Sequence, residues 1–263
     1  MVSGKPPGGG GGDSGGGDAG GHGTGPVPGR QVAGGKKGTA RDLAVRLRNA
    51  RAHKASSQQW LQRQLNDPYV ARAKREGYRS RAAYKFLEID DKYRLLKPGQ
   101  RIVDLGAAPG GWSQIAAARV GTADGKPGRV VGIDLLEIEP IPGVDLGVMD
   151  FNDEDAPERL KAMLGGPADG VLSDMAANTT GHKKTDHLRI IALAELAVEF
   201  ACEVLAPGGF FLCKLFQGGD TVEIVTRLKQ DFAVVRHVKP AASRAGSAEL
   251  YVLATGFRGR RGS

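Results

Sequence analysis

The chain has 263 residues, 40 of them glycine, only two cysteines, and a formal net charge of +8 at pH 7. Cys202 and Cys213 form no CxxC and belong to no Cys/His cluster, which argues against a structural zinc site or a disulfide framework and for buried thiols in a reducing compartment. The glycines keep no three-residue period, which excludes collagen. No apolar stretch reaches the roughly 18–20 uncharged residues of a membrane span, and the first residues lack the apolar core of a secretory signal. A cytoplasmic protein is expected.

Residues 1–40 hold 17 glycines and four prolines and no Leu, Ile or Phe. Such a segment cannot bury enough apolar surface to offset its chain entropy, so residues 1–54 are expected to form a disordered, Gly-rich, basic extension. A globular domain is expected over 55–258 and a short basic tail over 259–263. Residues 1–59 carry nine Lys/Arg against three Asp/Glu, residues 60–85 seven against two, and residues 86–263 21 against 24. The positive excess thus precedes a slightly acidic body. That balance suits an anionic polymer as partner, nucleic acid first.

In chain order, the basic stretch 41–54 is expected to form a helix on contact with RNA. Trp60, Leu61, Leu65, Tyr69 and Val70 suggest short amphipathic helices around Pro68. Ser80 reads as the N-cap of a helix running to about Leu95, with Ala82, Phe86, Ile89 and Tyr93 as its apolar stripe. Strands follow at Arg101–Leu105, Val130–Leu135, Val144–Met149, Gly170–Ser173, Phe210–Leu215, Ala233–Val238 and Leu250–Thr255. Helices are expected between most of them, at 111–120, 153–164, 186–206 and 219–230. In the third of these, Glu195, Glu199 and Glu203 recur every fourth residue on one solvated face. Alternating strands and helices predict an α/β fold with a mostly parallel sheet. Too few residues separate Val238 from Leu250 for a crossover helix, so the last strand should run antiparallel.

Ligands of such sheets bind beyond the carboxyl ends of the strands. After the first strand comes Asp104-Leu105-Gly106-Ala107-Ala108-Pro109-Gly110-Gly111-Trp112, a tight turn at a helix N-terminus. It is neither a P-loop nor GxGxxG, which weakens a pyrophosphate-binding dinucleotide site. Asp134 ends the second strand, placed to accept from ribose hydroxyls. Asp150 and Asp174 end the next two. With Asp104, these acids would form a negative mouth suited to a cationic nucleoside, S-adenosylmethionine being the obvious one.

At DLGAAPGGWSQ the chain resembles the FtsJ/RrmJ (RlmE) family of ribosomal RNA 2′-O-methyltransferases. WLQRQLNDPYV, GYRSRAAYKFLEID, GIDLLEIEPIPGV, VLSDMAANTTG, VLAPGGFFLCKLFQG and SRAGSAELYVLATG carry the resemblance from about Ser56 to Phe257. It implies a Rossmann-like, S-adenosylmethionine-dependent methyltransferase sheet of seven strands with the last antiparallel. It also implies cofactor contacts at Gly110, Trp112, Asp134, Asp150 and Asp174, and a catalytic set of Lys85, Asp174, Lys214 and Glu249. No metal is implied. The chain departs from the family at Ala177, where proline is common, a position that shapes the loop after Asp174 and so bears on contacts to the ribose or the methionine.

For a ribose 2′-hydroxyl attacking a sulfonium methyl, the reacting atoms must be held in line and a proton accepted. Lys214, at the end of the apolar run Phe210–Cys213, is the expected base, although a free lysine titrates near ~10.4. Burial, Lys85 and the sulfonium disfavour its charged form, whereas Asp174 and Glu249 favour it. Asp174 is expected to position Lys214, and Lys85 and Glu249 to orient the ribose. Arg72, Lys74, Arg75, Arg79 and Arg81, with Arg244, are expected to hold RNA phosphates. Tyr78 and Tyr84 are available to stack bases, with core packing the expected use. The expected partner is ribosomal RNA or the assembled large subunit, met by a monomer with no membrane contact, and the target a uridine in the A loop. A tRNA anticodon-loop enzyme, an idle assembly factor and a nicotinamide oxidoreductase are the alternatives.

Overall fold

The computed structural model describes residues 64–176, 183–216, 221–244 and 246–259, together with 58, 61 and 62. The Gly-rich extension 1–54, the contact-induced helix at 41–54, Trp60, Ala177 and most of the basic tail lie outside the described residues. Among the described residues no helix is long and apolar enough to cross a membrane.

Residues 61, 62, 64 and 65 are helical, and α1 (Pro68–Glu76) follows, with Asp67 accepting the Tyr69 N–H as N-cap, Pro68 in the first turn and Gly77 closing the end in left-handed conformation. Helix α2 (Ala82–Tyr93) follows one residue later than expected. Arg81, not Ser80, stands at its N-cap, and the Ser80 hydroxyl is buried without a partner. The Ser80 carbonyl instead accepts the Ala83 N–H, a turn that delays the helix. Helix α2 also stops short of Leu95. The Arg94 N–H bonds the Asp90 carbonyl at 2.7 Å, and the Asp90 carboxylate accepts the Leu96 N–H, which turns the chain before Lys97-Pro98-Gly99.

Seven strands then alternate with helices. They are β1 (Arg101–Leu105), β2 (Arg129–Asp134), β3 (Asp145–Val148), β4 (Ala168–Ser173), β5 (Leu205–Phe216), β6 (Phe232–Val238) and β7 (Glu249–Phe257). The helices between them are α3 (Gly111–Val120), α4 (Ala156–Leu164), α5 (Lys183–Val204) and α6 (Thr221–Asp231). The sheet order is β3-β2-β1-β4-β5-β7-β6. All pairs from β3 to β5 are parallel, and β7 runs antiparallel between β5 and β6. The short return from β6 to β7 thus makes the antiparallel hairpin that its length requires.

One face of the sheet packs a core with α4, α5 and α6, through residues such as Leu160, Ala197, Phe200 and Leu228. The other packs α2 and α3, with Phe86, Ile89, Trp112 and Ile115 against Ile102, Leu212, Tyr251 and Leu253. This is the Rossmann-like methyltransferase arrangement. Strand order reverses between β1 and β4, so their carboxyl ends, at Gly106 and Asp174, open the crevice where a ligand fits.

Candidate active site

The β5–β7 register builds one half of the site. Lys214 pairs with Tyr251, and Phe216 with Glu249. Side chains alternate along a strand, so Lys214, Tyr251 and Glu249 share the face covered by α2. Asp174 arrives at the end of β4, its N–H held by the Leu105 carbonyl. Lys85 reaches down from the first turns of α2.

The structure brings all four residues of the expected catalytic set together. Lys214 Nζ lies 3.0 Å from Asp174 Oδ1 and donates to the Asp174 backbone carbonyl at 2.6 Å. Lys85 Nζ lies 2.6 Å from Glu249 Oε1. Read alone in the sequence, Lys85 is an exposed surface lysine, yet its side chain is only 12% exposed. Its partner is far along the chain, so helical periodicity carried no sign of it.

A fifth residue joins the two pairs. The Tyr251 hydroxyl accepts from Lys85 Nζ at 3.3 Å and lies 3.1 Å from Asp174 Oδ1 and 3.4 Å from Glu249 Oε1. It has one proton to donate, and Asp174 is the nearer acceptor. Burial, with both carboxylates alongside, pushes the phenol well above its usual range, so it remains a donor. Sequence reasoning missed Tyr251 because a tyrosine inside an apolar strand reads as core. The sign available was its spacing of two from Glu249. Ser243 further holds Glu249 Oε1 at 3.3 Å.

Beside this cluster lies a cavity of about 340 Å³, lined by Gly106, Ile133, Asp134, Asp150, Met175 and Leu193 among others. Asp134 is fixed by the Ala108 N–H on one oxygen and the Leu136 N–H on the other, both at 3.0 Å. Asp150 accepts the Asn152 backbone N–H and side-chain amide on Oδ1. Those bonds hold its carboxyl below the usual range and leave Oδ2 for a ligand donor. Asp134 and Asp150 therefore stand at the cavity as expected, and Asp174 adjoins it through Met175.

Gly110 and Trp112 do not line this cavity. A Cβ on Gly110 would meet Ile141 Cδ1 at 2.5 Å, so its bareness serves loop packing. The Trp112 indole is buried, stacked 5.0 Å from Phe86, with its N–H given to the Ala82 carbonyl. What either residue can offer a ligand is backbone.

The acid expected at the mouth from β1 is not there. Asp104 is fully buried, accepting from Ser113 Oγ at 2.6 Å, with its other oxygen unpartnered. It is the fourth residue of β1, one short of the strand end, so it faces α3. Burial first, then the Asp174 and Asp134 charges, push its carboxyl up to about 7. A folded pKa raised above the unfolded 3.8 stabilises the fold fully below about pH 4, and that contribution is lost as pH rises through about 7. Asp104→Asn should therefore flatten the decline in urea midpoint between about pH 5 and about pH 8. An unchanged decline in the variant would exclude Asp104 as its source.

The expected RNA cations divide. Arg81 is largely buried, 3.0 Å from Asp67, and Arg244 reaches the same carboxylate at 3.2 Å. Arg72 pairs with Glu76 and lies over the Tyr84 ring. Arg79 is spent on the carbonyls of Pro109, Glu139 and Pro140. Arg79, Arg81 and Arg244 thus tie the α1–α2 segment to the rest of the fold, whereas Arg72, Lys74 and Arg75 remain exposed to solvent. Tyr84 is core, with Tyr69 and Tyr78 against it and its hydroxyl on Glu76. Burial first, then that contact, raises its phenol to about 12. Among the described residues there is no group of three or more His, Cys, Asp or Glu able to hold a metal.

Comparison with known proteins places this geometry. The model of the FtsJ-like methyltransferases matches residues 78–257. The chain is 70% identical over 219 residues to the ribosomal RNA large subunit methyltransferase E of Xanthobacter autotrophicus, covering 83% of this chain and 86% of that one. It is 66% identical over 220 residues to the protein of that name from Azorhizobium caulinodans, covering 84% and 91%. A crystal structure described as a ribosomal RNA methyltransferase from Plasmodium falciparum superposes with a TM-score of 0.61 at 31% identity, over 70% of this chain and all of that one. With the family's motifs, its sheet and its relatives all matched, the chain belongs to the FtsJ-like methyltransferase family.

Proposed function

We propose that the chain is an S-adenosylmethionine-dependent 2′-O-methyltransferase of ribosomal RNA, acting on a uridine in the A loop of the large subunit. The observation that carries this reading is the convergence of Lys214–Asp174 and Lys85–Glu249 on one tyrosine hydroxyl, beside a cavity with two fixed carboxylates. The relatives named for ribosomal RNA support the substrate.

The cavity fits the cofactor's nucleoside. Ile133, Met149, Phe151 and Leu193 offer apolar walls for a base, Asp150 Oδ2 an acceptor for an amino group, and Asp134 an acceptor for ribose hydroxyls. Asp174 stands toward the methionine end. Bound there, S-adenosylmethionine supplies an activated methyl on a sulfonium. In this reading Lys214 Nζ takes the proton of the ribose 2′-hydroxyl, held on line by Asp174. Lys85 and Glu249 orient the ribose. The active domain is 55–258, working as a monomer in the cytoplasm, with 1–54 and 259–263 adding non-specific affinity for RNA.

The test is transfer of labelled methyl to ribosomal particles and to bulk tRNA from cells lacking the protein, followed by nuclease digestion. Label at one uridine of the large-subunit RNA is expected. Label confined to tRNA overturns the substrate, and no label with cofactor bound overturns the activity. Tyr251→Phe keeps the ring and removes the bridge between the pairs. It should lower kcat about tenfold, the worth of a hydrogen bond to a charged group, with cofactor affinity unchanged. An unaltered kcat would make the hydroxyl a purely structural contact.

A further inference from the structure

A second cavity, of about 660 Å³, opens at the amino ends of the parallel strands, away from the catalytic cluster. Gln100 before β1, Asp169 near the start of β4, and Gly208 and Gly209 in β5 place it there. Arg94 and Lys97, from the turn after α2, and Arg236, from β6, line it, and all three are exposed. We propose that this cavity is a second RNA contact, binding backbone phosphates of the substrate away from the reacting nucleotide. The proposal rests on the reading of RNA as substrate.

Several arginines of the chain are neutralised locally. Arg72, Arg81, Arg119, Arg129, Arg159 and Arg244 each lie within salt-bridge distance of a carboxylate. Among the described residues no carboxylate pairs with Arg94, Lys97 or Arg236. The one acid at the cavity, Asp169, has an oxygen engaged by the Arg101 N–H at 2.8 Å. Three cations against one carboxylate leave this concave surface net positive, which attracts a polyanion.

The rim is also fixed in place. The Lys97 N–H bonds Gln100 Oε1, the Gly99 N–H bonds the Val120 carbonyl, and the Leu96 N–H bonds Asp90. The Arg236 guanidinium lies 5.9 Å from the centre of the Tyr93 ring. Arg94 has φ of 53°, the only non-glycine residue with positive φ among the described residues. Glycine would relieve that conformation, so the arginine there retains a charge at a backbone cost. Helix α2, 12 residues and roughly 18 Å long, joins the two sites, with Lys85 near one end and Arg94 just past the other.

The test compares wild type with the triple variant Arg94→Gly, Lys97→Ala, Arg236→Ala, in which glycine preserves the turn. Binding of a fluorescein-labelled RNA stem-loop is followed by anisotropy over a KCl series. The slope of log affinity against log salt is expected to be shallower by about 2, at about 0.7 to 0.9 per lost phosphate. Methyl transfer should show a raised KM with kcat retained. A control with equal charge loss, Lys126→Ala, Arg159→Ala, Arg227→Ala, should keep the wild-type slope. An unchanged slope in the first variant overturns the proposal, and so does an equal drop in the control. Loss of inorganic pyrophosphate binding with the RNA slope intact also overturns it, by making the cavity a small-anion site. Methyl transfer by the wild type reports separately on whether RNA is the substrate at all.

Discussion

Alanine at Lys214 is expected to lower the methyl-transfer rate by about three orders of magnitude, within the range for loss of a general base. Binding of S-adenosylhomocysteine should change little, because Lys214 is not among the residues that line the cavity proposed for the cofactor. Lys214 Nζ is held between the backbone carbonyl and the carboxylate of Asp174, at the end of an apolar strand. That geometry fixes the position of one nitrogen, which is what a proton acceptor at a reacting hydroxyl requires. Lys214→Arg separates the two roles the residue can have. Arginine keeps a cation beside Asp174 and can even bond it with both arms, but its pKa above ~12 bars it from accepting a proton. If Lys214 acts as a base, arginine should be as inactive as alanine in single-turnover transfer. If it acts as a fixed charge, arginine should recover much of the rate. Calorimetry with S-adenosylhomocysteine on all three proteins keeps loss of binding apart from loss of chemistry.

The alternation of strands and helices was legible because apolar periodicity is local. So was the antiparallel β7, because the connection before it is too short for a helix. Asp134 and Asp150 could be placed at the cavity because strand ends follow from strand patterns. The side chains that lie elsewhere than expected turn on strand register or on distant partners. Asp104 lies one residue short of a strand end, and that single step turns its side chain from the mouth into the core beneath α3. Trp112 follows the glycine loop in sequence, but its indole is captured by Phe86 and the Ala82 carbonyl from another helix. Arg81 and Arg244 read as free cations, and both are drawn onto the single carboxylate of Asp67. Tyr251 was hidden for the opposite reason. Its ring belongs to the core and only its hydroxyl to the site. The family resemblance brought Lys85 and Glu249 into the catalytic set. Without it, nothing in their neighbouring residues pairs them.

Gly106→Ala should be the most damaging single-methyl change at the cavity proposed for the cofactor. Gly106 has φ of +75°, and a Cβ there would lie 2.8 Å from both the Cα and N of Met175. Neither atom can swing aside as a side-chain tip would. Left-handed strain and backbone overpacking together are expected to cost about 2–4 kcal/mol. Relief can come only by moving Met175, which lines the cavity, and with it Asp174, which holds Lys214. Affinity for S-adenosylhomocysteine should therefore fall about 100-fold, with the urea midpoint lowered in parallel. Gly125→Ala provides the comparison. Gly125 also has positive φ, 71°, but an added Cβ meets nothing within 4 Å. It should show only the strain of the left-handed backbone, about 1–2 kcal/mol of stability, and bind the ligand as wild type does. Equal affinity losses in the two variants would mean that global destabilisation, and not the contact of Gly106 with Met175, governs the cavity. Loss confined to Gly106→Ala would establish that the turn after β1 and the end of β4 must approach to backbone contact for the cavity to form.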